Sequence, residues 1–535
     1  MPPLLHNLRT FLSGDGVLIL PELELLLFAL GVLVIDRWLT AKEKYWNAVL
    51  ALVGVGFSGF TLHVQHGKMA AVRAADPQSP GIFGFGQNLL VDPFFLFFTT
   101  LFLAALALII LFSLDFREQH TAPSGFYYAL LLVACAGLML MVGGINMIAI
   151  FTGLQFMAIS SYALLRFAAE RSKAEAAKRS FSVLWTCSSV ALALGFLLLY
   201  GEFRTGNLGR IGAALETRLD KGTALAGLTT WHSALALALL ATGALFLLEA
   251  APWHWLAPEI YDAAPAPVAG FLAAAAKAAG LALLLRLFVF LFFFAQQKWI
   301  HVWGGVAILS LLWGNIAALR QRHVLRILAQ GAVMQAGFAA LGLVAANETA
   351  LEGVVYHIGA YVFGALGIFG VLIVLQQEHG SGTTLADLRG LHQKSPALAW
   401  LLLLFALTLA GVPLCAGFVA KYYIVKGVFA GHPELAVFAA VNALFSAYVY
   451  GRMAAQAFRS PALTRLRPQQ TTESAAPTST AQSEIPPSPI PSTSEPRLIL
   501  TIPQTFGFTI AAFVSLAAGL YPAPFLRIAS YVFGQ

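Results

Sequence analysis

Charge is scarce in this chain. Of 535 residues only 11% are Asp, Glu, Lys or Arg, less than half the ~25% usual for soluble domains, which excludes a solvated globular protein. Cysteine is nearly absent. Cys135, Cys187 and Cys415 all lie in apolar stretches without C-x-x-C spacing, so the chain has no ligand set for an iron–sulfur cluster or a structural zinc. A cleavable leader is not expected either. Residues 1–14 hold Arg9 as their only cation, and the first apolar run contains Pro21, Glu22 and Glu24 with no A-x-A site behind it. The one match to a dinucleotide fingerprint, Gly54-Val55-Gly56-Phe57-Ser58-Gly59, sits inside an apolar run with no strand before it, so close helix packing at small residues is expected there, not nucleotide.

What the chain has in abundance is hydrocarbon: 59% hydrophobic residues and a mean hydropathy of +0.77. Apolar runs long enough to cross a ~30 Å hydrocarbon core occur at 15–36, 45–65, 92–115, 126–143, 146–167, 180–201, 228–251, 266–292, 299–319, 323–345, 351–377, 396–430, 433–456 and 504–530. An all-α polytopic membrane protein of about fourteen transmembrane helices is predicted. The net charge of +7 is a matter of topology and not a nucleic-acid footprint. Most of the 32 Lys and Arg fall on the side of the odd-numbered loops, led by Arg166, Arg171, Lys173, Lys178 and Arg179. That side is cytoplasmic by the positive-inside rule, which places both termini outside.

Two features break the apolar pattern in parallel. Lys277 stands at the centre of Phe271–Leu285 (FLAAAAKAAGLALLL), and Lys421 follows the Gly411-Val412-Pro413 break inside 396–430. A charge at bilayer depth costs roughly 2.5–3.5 kcal/mol on insertion scales and marks function by default. A snorkelling lysine is the bland alternative. Lys277, however, has about ten helical residues on either side, or ~15 Å, which is too far to reach an interface. A second break, Ala250-Ala251-Pro252, precedes Lys277 as Gly411-Val412-Pro413 precedes Lys421. Paired interrupted helices point to inverted repeats with an ion site near the midplane. The expected division is helices one to three (1–125), a first five-helix repeat (126–292), a second (299–456), a disordered cytoplasmic linker rich in Pro, Ser and Thr (461–496), and a last helix (498–535).

Three stretches, PWHWLAPEIYDAAPAPVAGFLAAAAKAAGLALLLR (252–286), GNIAALRQRHVLRILAQGAVMQAGF (314–338) and LADLRGLHQKSPALAWLLLLFALTLAGVPLCAGFVAKYY (385–423), resemble in order and spacing the antiporter-like membrane subunits of respiratory complex I, and within them the subunit N group of bacterial NADH-quinone oxidoreductases. The resemblance implies a multi-pass subunit of the bacterial inner membrane that conducts protons beside neighbouring membrane-arm subunits. NADH, FMN, iron–sulfur clusters and quinone then belong to other subunits, and this chain binds no cofactor and no metal. Related cation/proton antiporters and membrane-bound hydrogenases share the architecture and remain alternatives.

The resemblance assigns proton transfer to Lys277 and Lys421. Burial favours a neutral amine and a nearby carboxylate favours the ammonium, so such a lysine can load and release a proton. His254, in Pro252-Trp253-His254, is a relay candidate near neutral pH or a cap for backbone groups freed by the break. His357 lies in a position where the family usually has no histidine. The family's carboxylate and lysine of spans five and seven fall on Gln155 and Leu247, and its span-ten histidine falls on Gln335. Joint loss is what electrostatics predicts, because one partner alone is stranded. It also raises the possibility of a structural paralogue whose first half-channel is defunct. Glu249, two residues after Leu247, points about 200° away on a regular helix and serves as a proton carrier only if the break turns it back. Otherwise it pairs with a neighbouring subunit.

Overall fold

The computed structural model describes residues 15–533 except 78, 115–123, 168–170, 221–230, 293–295, 380–383, 461–497 and 499, so the 461–496 linker lies outside the described residues. The order is α1 (Gly16–Asp36), α2 (Trp46–Ala75), the hairpin β1 (Ile82–Gly84) and β2 (Leu89–Val91), α3 (Pro93–Ser113), α4 (Ser124–Gly143), α5 (Met147–Leu164), α6 (Arg171–Phe203), α7 (Leu208–Asp220) and α8 (Trp231–Leu248). The chain continues with α9 (Ala257–Ala263), α10 (Ala266–Phe290), α11 (Gln296–Arg320), α12 (Val324–Ala345) and α13 (Glu348–His379). It closes with α14 (Leu391–Lys394), α15 (Pro396–Ala410), α16 (Ala416–Phe429), α17 (Pro433–Gln456), α18 (Ile502–Leu520) and α19 (Ala523–Val532).

Twelve helices among the described residues are long and apolar enough to cross a membrane, and the shorter apolar helices α8 and α15 each belong to an interrupted pair. Helices α10 and α12 are buried along their whole apolar length and form the centre. Around them α11 packs on α12, α4 on α5, α6 on α8, and α13 on both α15 and α16. Lipid is as apolar as leucine, so such association rests on close packing and internal hydrogen bonds. In the glycine-rich run of α2 only Gly54 packs tightly, against Phe28 of α1. Gly56 and Gly59 face open space.

Each interruption has a local cause. After α15, Gly411 adopts φ +80°, a left-handed cap glycine tolerates. Pro413 disfavours helix at Val412 before it. The restart is tight, since a Cβ on Gly417 would meet the Thr408 carbonyl oxygen. After α8, Glu249 itself takes the left-handed conformation, φ +54°, followed by a cis Ala251–Pro252 peptide and a single turn, His254–Leu256. The apolar run at 504–530 proves to be two elements. Helix α18 stops at Leu520 because Pro522 has no N–H to continue the ladder, and α19 is a separate short helix.

Candidate functional site

The left-handed turn at Glu249 answers the question of its direction. Instead of pointing away from the interior, its carboxylate meets Lys277 of α10, with Nζ to Oε2 at 2.8 Å. The same Oε2 accepts a hydrogen bond from the Tyr261 hydroxyl of α9 at 2.9 Å, and Lys277 Nζ donates to the Leu248 carbonyl at 3.1 Å. Lys277 is 2% exposed and Glu249 6%, so bulk solvent does not screen the pair. A buried ion pair holds only where further hydrogen bonds satisfy it, and here Tyr261 and the freed carbonyl at the end of α8 supply them. The chain therefore carries a buried carboxylate–lysine pair in its first half, built from different residues than the resemblance places there. Tyr261 was missed in the sequence. Its only signal there is a lone phenol within the apolar break segment.

Leu247 stands beside this pair, and Gln155 is linked to it through Trp185. Gln155 donates to Ser189 Oγ at 3.1 Å and accepts from Trp185 Nε1 at 2.9 Å. Trp185, Leu247 and Glu249 line a cavity of about 30 Å³ whose remaining walls, including Leu154, Ile260 and Ala276, are apolar. That is room for a water or two at ~10–15 Å³ each, with Glu249 the one ionisable group on the wall.

In the second half Lys421, 5% exposed, donates from Nζ to the carbonyls of Leu409 (3.0 Å) and Ala410 (2.9 Å) and to Ser446 Oγ (3.1 Å). It lies 4.7 Å from the centre of the Phe338 ring. The two lysines are thus placed alike. Each ammonium sits at the C-terminal end of the half-helix before a break, where unpaired carbonyls and the negative end of the helix dipole favour a cation. They differ in their counter-charge. Lys277 has Glu249, whereas no carboxylate among the described residues pairs with Lys421.

A histidine lies near Gln335, the position where the family's span-ten histidine would fall. Gln335 donates to the Leu409 carbonyl at 2.8 Å, the acceptor it shares with Lys421. His357 of α13 reaches the Gln335 backbone carbonyl through Nε2 at 3.3 Å. A carbonyl only accepts, so Nε2 carries the proton and Nδ1, without a hydrogen-bond partner, is left as an acceptor. His254 is not part of either cluster. Its half-buried ring rests against Trp313, with centroids 5.0 Å apart, and its Nδ1 is buried without a partner. Between the clusters stand the buried phenols of Tyr361 and Tyr450. Tyr361 is within electrostatic range of both Glu249 and Tyr450, and Tyr450 lies beside Gln335.

A third buried cation, Arg286, was not singled out in the sequence. It lies within α10 and holds Asp92 with two bonds (2.5 and 3.1 Å), donates to the Val142 carbonyl at 3.1 Å, and covers the Phe94 ring. Asp92 also caps α3 by accepting from Phe95 N at 2.7 Å. The Asp-Pro start of α3 was the available signal. In α1, Glu22 is buried, while Glu24 accepts from Thr61 at 2.8 Å. Among the described residues no group of three or more His, Cys, Asp or Glu could hold a metal ion.

Known proteins resemble this chain in sequence and in fold. Residues 144–446 match the family described as NADH:quinone oxidoreductase/Mrp antiporter, transmembrane. NADH-quinone oxidoreductase subunit N 1 of Koribacter versatilis is 36% identical over 84% of this chain and 88% of its own. Subunit N 2 of Solibacter usitatus is 32% identical over 97% of each chain. In fold, a chain of respiratory complex I from Thermus thermophilus superposes with a TM-score of 0.69 at 23% identity, covering 95% of this chain and 99% of that one. Sequence identity at that level and extent, together with a broken-helix core that carries buried lysines, makes this chain a member of the NADH-quinone oxidoreductase subunit N family.

Proposed function

We propose that the chain is a proton-translocating membrane subunit of a complex I-type NADH-quinone oxidoreductase in the bacterial inner membrane. Neighbouring membrane-arm subunits flank it, and NADH, FMN, iron–sulfur clusters and quinone are held elsewhere in the complex. The observation that carries this reading is the Glu249–Lys277 pair sealed at the end of α8, matched by Lys421 at the end of α15. The proton path then runs from Lys277 and Glu249 past Tyr261, Tyr361 and Tyr450 to Gln335, His357 and Lys421, with water filling the gaps. His357 takes the place of the histidine that the resemblance puts at 335. His254, outside both clusters, serves an entry route past Trp313. With each interrupted helix counted as one crossing there are fourteen. The first three helices (1–125) precede two repeats (126–292 and 299–456), and both termini lie outside. The test is isolation of the tagged chain from its native membranes. It is expected to bring down an assembly that oxidises NADH and reduces quinone, and an assembly that exchanges cations without oxidising NADH would transfer the chain to the antiporter class.

The orientation has its own check. Reporter fusions at Ala475 and at the C-terminus are expected on opposite sides of the membrane, the first cytoplasmic. A shared side would remove the fourteen-crossing arrangement.

The reading of a defunct first half rests on Gln155 and Leu247 having replaced an ion pair, and a double-mutant cycle tests whether the two positions face each other. Gln155→Glu adds a second carboxylate to a site that already holds Glu249, and Leu247→Lys adds a second ammonium near Lys277. Each alone is expected to lower complex yield and thermal stability, because a new buried charge lacks its own partner. Together they should be milder than the sum of the singles by ~0.5–3 kcal/mol, the range for contacting residues. Strict additivity would show that 155 and 247 do not face each other.

A further inference from the structure

Away from the lysines, two cavities meet at the external end of the molecule. The first, about 300 Å³, lies between α2, α3, α13, α18 and α19 and is walled almost wholly by apolar side chains. Along α3 its wall runs from Pro93 to Ala104, or ~16 Å at 1.5 Å per residue. That is the depth of one leaflet of a ~30 Å hydrocarbon core. The second, about 530 Å³, is polar at its rim and shares Pro93 and Val532 with the first. Arg73 stands where they join. Its guanidinium lies 4.6 Å from the centre of the Tyr531 ring, and Tyr531 belongs to the apolar wall. Its Nε is buried without a partner, and no carboxylate among the described residues pairs with it. The other cation on that rim, Arg286, is neutralised by Asp92. Arg73 is therefore the uncompensated charge. Polar groups on this wall are His66, Thr100, Tyr356, Ser515 and Tyr531. Thr100 and Tyr356 donate to the Leu96 and Ala518 carbonyls, whereas the hydroxyl of Ser515 of α18, 1% exposed, has no partner.

We propose that these cavities form a binding site for one phospholipid, with an acyl chain along α3, its ester region at Ser515 and its phosphate on Arg73. A chain-length apolar slot alone would admit any hydrocarbon. An unpaired guanidinium at its mouth and an unpaired hydroxyl on its wall match a phosphodiester joined to an acyl ester, and the excess positive charge favours an anionic headgroup over a zwitterionic one.

The test uses the intact complex in detergent, washed until bulk lipid is removed, with retained phospholipid quantified by mass spectrometry. The wild type is expected to keep phospholipid enriched in anionic headgroups relative to the source membrane. Arg73→Gln should lower the retained anionic lipid several-fold, and Ala360→Phe, which fills the slot, should lower total retained lipid. Equal retention in all three would overturn the proposal. Should either variant fail to assemble, the wild type labelled with a phospholipid carrying a photoreactive acyl chain decides alone. Adducts on the Phe97–Ala104 and Tyr356–Phe363 peptides support the site. Adducts confined to other helices, or none because a neighbouring subunit fills the slot, reject it.

Discussion

Glu249→Gln is expected to destabilise the assembled complex by about 3–5 kcal/mol, the range for removing one partner of a buried ion pair, and to abolish coupled proton transport through this subunit. Among the described residues the carboxylate is the only counter-charge of Lys277, whose side chain is 2% exposed. Tyr261 would donate its hydroxyl to a neutral amide oxygen in place of a carboxylate, a weaker acceptor. Lys277→Met strands the carboxylate instead and should destabilise to a similar degree. The double change Glu249→Gln with Lys277→Met leaves no unpaired charge, so complex yield and melting temperature should recover in large part. Protons moved per electron, measured in liposomes with NADH and quinone, should stay low. Recovery of that ratio in the double variant would show that the pair is a structural clamp and not part of the path.

Lys421→Met should separate the two quantities in the opposite way. No carboxylate is left behind. The groups that lose a donor are the Leu409 and Ala410 carbonyls and Ser446, at about 1–3 kcal/mol for each one that remains unsatisfied. Leu409 keeps its bond from Gln335, and water can enter beside Ser446, so assembly should suffer less than in Glu249→Gln. Proton transport should fall as far, because nothing else in the second half of the path bears an ammonium. Lys421→Arg is not expected to rescue it. The lysine stem already lies so near Gly411 that a Cβ there would sit 2.8 Å from its Cδ, and a planar guanidinium does not fit that space. A normal proton-to-electron ratio in Lys421→Met would remove this residue from the path.

These expectations rest on different amounts of sequence. That Lys277 is buried was legible from its place ten residues from either end of an apolar helix, and the Gly-Val-Pro break announced the cap that Lys421 occupies. The partner of Lys277 was not legible. Helical periodicity turns Glu249 away from Leu247, and only its own left-handed backbone, φ +54°, brings the carboxylate round. Arg286 lies near the end of an apolar run, where an arginine can snorkel to the interface, so its burial was not legible either. Its burial comes from Asp92, 194 positions earlier in the chain. His357 carried a faint signal, an unexpected histidine in an apolar span, but its closeness to Gln335 and Lys421 depends on how α13 packs against α12 and α16.

By itself the sequence determined the class and the scaffold: a chain this poor in charge and this rich in ~20-residue apolar runs can satisfy its backbone in a bilayer only as helices. Proline and glycine determined where two of those helices break. Tertiary structure decided which charges meet. Pairing in a membrane interior depends on side-chain direction to within a few ångströms, and direction at a helix end follows from a single backbone dihedral and from helices hundreds of residues away, which no local spacing records.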